Sequence, residues 1–179
     1  MVRLNKKKVS FLISGKGSNL YKILIKNLKN EKFYIISIVS NNVISDEIKK
    51  IVKKKEYKIN LFEKVPNLKS NYFKGTDVIF SVGFMKIING KIIDKYTIIN
   101  LHPSILPKYK GLMTQKRILI NNEKEYGFTI HKVSNDLDSG DIISQKRKKI
   151  SNFNEQEILK AHKKLEHQFV YKKLIDYLY

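Results

Sequence analysis

The sequence predicts an α/β domain built on a largely parallel sheet. Short runs of strand formers alternate with amphipathic segments, the early runs are apolar almost throughout, and the later ones alternate apolar with polar residues. Near-continuous apolar strands suit a sheet covered on both faces, and alternation marks strands with one wet face.

Each element follows from its residues. Residues 8–13 (KVSFLI) read as a strand, broken by Ser14, Gly15, Lys16, Gly17 and Ser18. From Asn19 the spacing of Leu20, Ile23, Leu24 and Leu28 is helical. Residues 33–39 are a buried strand ending at Ser40, Asn41 and Asn42. Residues 45–55 are a helix, with Ser45 as N-cap and Asp46 and Glu47 in the first turn. Residues 57–62, 77–84 and 96–100 are further strands, and the weakly patterned 63–76 is a short crossover or ordered loop. Residues 126–133 and 142–150 alternate as half-exposed strands do. From Asn154, the spacing of Ile158, Ala161, Leu165, Phe169, Leu174 and Leu178 predicts one long amphipathic helix.

No composition break, repeat or linker divides the 179 residues, so a single domain spanning 1–179 is expected. Without cysteine, disulfides, thiolate metal sites and a cysteine nucleophile are excluded. No apolar run is long enough to span a bilayer, and the basic start lacks the apolar core of a signal peptide. An unexported, cytoplasmic protein is the expectation. The net charge of +20 points toward nucleic acid at first sight. Nearly all of it is lysine, though, spread along the chain, in a composition also rich in Ile and Asn, as an AT-rich genome produces. No dedicated nucleic-acid surface is expected, and anionic small molecules would be attracted by the field.

In open parallel sheets ligands bind beyond the carboxyl ends of the strands. Four unusual stretches fall there: SGKGSN, SNN, GFMKIING and NLHPS. The first is a turn whose glycines let backbone N–H groups face an anion at a helix N-terminus. It lacks a Walker ending, and Leu20 stands where a dinucleotide fingerprint needs its third glycine. It is either a mononucleotide-sized phosphate site or a tight βα turn capped by Ser18 or Asn19.

The stretch INLHPSILPKYKGL holds two of the three prolines, and these restrict His102 and Leu106 to extended conformations. A stiff extended loop is expected, with Asn100 and His102 leaving the same face of the chain. An amide and an imidazole aimed at one spot can donate two hydrogen bonds to a developing oxyanion. SNDLDSGDII brings Asp136, Asp138 and Asp141 together around Gly140. As a calcium loop it fails, because the twelfth position from Asp136 is Arg147. It is a polar turn or the source of a carboxylate that orients His102. Histidines 102, 131, 162 and 167 show no zinc-helix spacing, and no metal is expected. By its own pattern His131 is a strand-face residue and Glu166 a solvated charge on the last helix.

Taken in order, LISGKGSNL, VSNN, VGFMKII, INLHPSILPKYKGL, HKVSNDLDSGDII and LEH resemble the formyltetrahydrofolate-dependent formyltransferase superfamily, and within it the phosphoribosylglycinamide formyltransferases. The resemblance runs from Val9 to about Tyr171. It implies a Rossmann-like formyltransferase fold and transfer of the formyl group of 10-formyltetrahydrofolate to glycinamide ribonucleotide in purine biosynthesis. Asn100, His102 and Asp138 would be catalytic. Gly15, Lys16, Gly17, Ser18 and Asn19 would hold the nucleotide phosphate, and Glu166 the ribose. Met85, Lys86, Ile87 and Ile88, with Asn135, Asp136, Leu137 and Gly140, would hold the folate. The partners implied are these two small molecules, in a monomer or homodimer. Methionyl-tRNA formyltransferase and formyltetrahydrofolate hydrolase share the Asn-x-His core and are the alternatives. Two departures stand out: no full helix precedes the fourth strand, and Met113 and Gln115 stand where the family often has histidines.

Overall fold

A computed structural model describes residues 5–54, 58–151 and 153–179. Seven strands form one sheet in the order β3-β2-β1-β4-β5-β6-β7. Strands β1 (Lys8–Ile13), β2 (Tyr34–Ser40), β3 (Asn60–Phe62), β4 (Val78–Ser81) and β5 (Ile98–His102) are mutually parallel. Strands β6 (Glu125–Lys132) and β7 (Ile142–Lys149) add an antiparallel flank. The mainly parallel sheet read from the apolar runs is therefore present.

Helix α1 (Ser18–Asn30) and helix α5 (Glu155–Leu178) pack together over one face, above Phe11, Phe33, Phe80 and Phe128. The opposite face holds a smaller cluster around Leu12, Val39, Phe73 and Ile79. Helix α2 (Asp46–Lys53), the short α3 (Gly90–Ile93) and α4 (Thr114–Ile120) complete the cover. The weakly patterned 63–76 is an ordered crossover. A 3-10 turn at Ser70–Phe73 drives Phe73 fully into the core, and Tyr72 stacks on Phe62 at 4.5 Å.

Several boundaries differ from expectation. The α2 N-cap is Ser45, but its hydroxyl caps nothing; the acidic first turn meets the helix dipole instead. Helix α1 is capped by neither Ser18 nor Asn19: Gly17 occupies that position in the left-handed region, at φ 69°. A side chain there would strike Ile48 and Ile13, 2.7 and 3.1 Å from an added Cβ, so the turn needs glycine twice over. Strand β4 stops at Ser81 because the chain turns at Gly83, φ 95°. Strand β5 begins later than expected and continues to His102, held there by pairing with Thr129 of β6. On α5 the buried stripe passes through His162, Val170 and Tyr171 as well as the predicted leucines, and Phe169 is only half-buried. Residues 1–4, residue 55 of the expected second helix and residue 57 of the expected third strand lie outside the described residues.

Among the described residues no helix is long and apolar enough to cross a membrane, and no three His, Cys, Asp or Glu side chains cluster as metal ligands would. Strand order reverses between β1 and β4, and such a reversal opens a crevice at the carboxyl ends of the strands. The Ser14 N–H donates to Gly83 O at 3.0 Å, and its hydroxyl accepts the Met85 N–H at 2.7 Å. The first turn and the GFMK segment are thereby fastened side by side.

Candidate active site

The proline stretch folds back on itself and does not leave as an extended loop. Pro103 bars helix, but turns follow at once. Ser104 N–H donates to His102 O, Lys108 N–H to Ile105 O, and the Ser104 hydroxyl to Lys108 O. The Leu106–Pro107 peptide is cis. Buried Thr129 holds the base of this turn, donating to Ser104 O at 2.7 Å and accepting from Leu106 N–H at 3.0 Å. Gln145 donates to Leu106 O at 2.7 Å. The fold-back returns the Tyr109 carbonyl to His102, whose Nε2–H donates to it at 2.8 Å.

With Nε2 committed as a donor, Nδ1 is the nitrogen left for proton exchange. It faces Asp138 Oδ2 at 3.3 Å. Asp138 comes from the SNDLDSG turn, where it adopts φ 47°, and its Oδ2 also accepts the Gly111 N–H at 2.8 Å. Of the open readings of that turn, the geometry matches the carboxylate that orients a histidine. Gly140 makes the turn possible, since an added Cβ would lie 1.9 Å from Lys132 O.

His131 is the member of this cluster whose role its own strand pattern concealed. It pairs directly with Asn100 across the β5–β6 register. Its Nδ1–H donates to Lys132 O at 2.8 Å, so Nε2 is an acceptor, and it takes an N–H from the Asn100 amide at 3.2 Å. The same Nε2 lies 3.5 Å from Asp138 Oδ1. His131 thus turns the Asn100 amide nitrogen inward and touches the carboxylate. The signal that finds it is cross-strand register, which needs the pairing of β5 with β6.

The electrostatics follow from burial. His102 is 4% exposed, and desolvation pushes its imidazole below the ordinary 6.5, against the opposing pull of the Tyr109 carbonyl and the Asp138 charge. For Asp138 desolvation acts upward, but the contacts with His131 and Gly111 N–H and the charge of His102 outweigh it, leaving the carboxyl below its usual range. At neutral pH the pair is a neutral imidazole beside a carboxylate.

One cleft opens onto the cluster, and a second lies beside the turn after β1. The first is walled by Phe84, Ile87, Ile88, Val133 and Leu137, with Asn100, His131 and Asp138 at its polar end. Lys86 and Asn135 also line it, whereas Met85, Asp136 and Gly140 stand off its wall. Ile87 is 89% exposed at the cleft's edge. His102 lies behind Asp138 and does not line the cleft.

The second cleft runs mostly along α5, lined by Lys160, His162, Lys163 and Glu166 with Ser18 and Gln115, whereas Gly15, Lys16, Gly17 and Asn19 stand off its wall. Gly15 and Lys16 are exposed at the turn, and the first N–H groups of α1 lack intrahelical partners. Glu166 is no solvated charge: it is half-buried, and its Oε2 accepts from the Asn19 amide at 2.8 Å. Burial raises its carboxyl above the usual range, against that hydrogen bond.

Residues 7–174 match the formyl transferase family model. A phosphoribosylglycinamide formyltransferase of Haemophilus influenzae is 30% identical over 78% of this chain and 71% of its own. The trifunctional purine biosynthetic protein adenosine-3 of Gallus gallus is 31% identical over 80% of this chain, which spans only 16% of that protein. The crystal structure of phosphoribosylglycinamide formyltransferase from Campylobacter jejuni superposes with TM-score 0.83 at 28% identity, covering 98% of this chain and all of that one. With residues 7–174 matched, the chain belongs to the formyl transferase family.

Proposed function

We propose that this chain transfers the formyl group of 10-formyltetrahydrofolate to the glycyl amine of glycinamide ribonucleotide, yielding formyl-glycinamide ribonucleotide for purine biosynthesis in the cytoplasm. One observation carries the reading: Asn100 and Asp138, the latter paired with His102, close the polar end of a cleft with apolar walls, and a second cleft holds Ser18 of the anion-receptive turn together with Glu166. The first cleft fits a flat heterocycle with hydrogen-bonding edges, because its apolar walls end in convergent polar groups. The second fits a phosphorylated ribose: helix N–H groups for the phosphate, and Glu166, already paired with Asn19, for hydroxyls.

The folate supplies an electrophilic formyl carbon. Asn100 donates a hydrogen bond to the oxyanion as the amine adds, a contact worth ~2.7–4 kcal/mol in comparable oxyanion holes. His102 Nδ1 accepts the amine proton through Asp138 and water. Asp138 stabilises the imidazolium that results. The proton then passes to the departing N10 as its bond to the formyl carbon breaks.

Formyl transfer from 10-formyltetrahydrofolate, offered glycinamide ribonucleotide, initiator methionyl-tRNA and water in parallel, tests the proposal, with His102→Ala as the blank. Transfer to the ribonucleotide, lost in the variant, is expected. Transfer to tRNA or water alone would overturn the assignment of the second cleft.

A further inference from the structure

The two catalytic side chains are held by one tripeptide. Tyr109 supplies the carbonyl that takes His102 Nε2–H, and Gly111, two residues on, supplies the N–H that binds Asp138 Oδ2. Any shift of residues 109–111 therefore disturbs both the tautomer of His102 and the placement of the carboxylate.

Arg117 of α4 grips this tripeptide from outside. Its Nη1 donates to the Lys110 carbonyl at 2.6 Å, and its guanidinium lies 5.1 Å from the centre of the Tyr109 ring. The same ring is tied at its far end, where the hydroxyl donates to Glu123 Oε1 at 2.9 Å, and Lys108 reaches the same oxygen at 2.8 Å. Tyr109 needs holding, since it sits in the left-handed region at φ 59° without being glycine. A planar fork that both stacks and donates is a task for arginine, which lysine cannot duplicate. Only three arginines occur in the chain, against a large excess of lysine.

We infer that Arg117 is a positioning residue for the formyl transfer: by clamping Tyr109 and Lys110 it fixes His102 as the Nε2-protonated tautomer and keeps Nδ1 for the proton. The inference rests on the proposed roles of His102 and Asp138. Arg117 itself is exposed and reaches neither reacting group. Its contacts with solvent-accessible partners contribute little to folding, so its removal leaves the domain intact.

The test uses Arg117→Ala and Arg117→Lys in the full chain. In both, kcat falls by about ten- to a hundredfold while KM for each substrate stays within about twofold, as expected when a reacting group is misplaced by a remote change. Nitrogen-15 NMR of labelled histidine reads the tautomer without any substrate. His102 is Nε2-protonated in the native chain and becomes a mixture of tautomers in both variants, with the melting temperature nearly unchanged. Tyr109→Phe, which loses only the Glu123 tie, gives a smaller change of the same kind. An unchanged His102 tautomer in Arg117→Ala overturns the inference whatever the activity does. A changed tautomer in a chain that transfers no formyl group would leave the clamp standing and remove the proposed function instead.

Discussion

The ends of strands β5 and β6 and the turn after β1 are built on opposite plans. At β5 and β6 nearly everything is committed: both nitrogens of His102 and of His131 face partners, and Asp138 takes contacts from three residues. At the β1 turn Gly15 and Lys16 stand exposed, and the first N–H groups of α1 have no intrahelical partner. Under the proposed function, the difference suits the two regions to different parts of the task. Proton transfer and charge stabilisation need groups fixed before the substrate arrives, because preorganised dipoles need no reorganisation during reaction. A phosphate brings its own charge and can complete an open cradle on arrival.

That contrast can be broken at either end. The largest effect is expected of Asn100→Ala, which removes the proposed oxyanion donor and lowers kcat by about 10²–10³-fold with KM little changed. Steady-state kinetics checks it; a change confined to KM would place Asn100 with the open end. Gly140→Ala comes next, destabilising by ~1–3 kcal/mol or more through overpacking, because the added Cβ meets the Lys132 backbone. Chemical denaturation checks that value, with a midpoint equal to wild type as the contrary result.

The pH profile follows. Burial depresses His102, so the neutral base is depleted only below the ordinary 6.5. Activity should fall tenfold per pH unit beneath that depressed value and stay flat from there to neutrality. Stability shifts in the same direction. His102 and His162 are both depressed by burial, so the unfolded chain binds more protons; stability is full above about 6.5 and declines as pH falls through their folded values. Activity rising on acidification would mean that the imidazolium is the working form. The smallest effect is expected of Lys16→Ala, a few-fold rise in KM for the nucleotide that shrinks as salt is added, since the side chain is exposed.

Legibility in the sequence followed the same divide. Most strands could be read from their apolar runs and the last helix from its spacing, and the Asn100–His102 spacing because a strand alternates. Residues 126–131, however, are buried on both faces, covered by helix α5 and paired with β5, and are not the half-exposed strand their alternation suggests. Partnerships across the chain could not be read. The Asn19–Glu166 hydrogen bond joins residues 147 apart, and Asn100 meets His131 only through the antiparallel register of β6. Helix α4 was also hidden, since TQKRILI is a single short segment whose start depends on Met113 at φ 59°. The fold-back of the proline stretch is not written in its prolines, because Pro103 and Pro107 restrict their predecessors without saying where the chain turns.

The most direct test compares Asp138→Asn with Glu166→Gln in one formyl-transfer assay. If the committed end does the chemistry and the open end takes the nucleotide, the first variant loses kcat by at least about a hundredfold with KM near wild type. The second raises KM for glycinamide ribonucleotide and spares most of kcat. Equal losses of kcat in the two variants, or a KM defect in Asp138→Asn alone, would contradict the division.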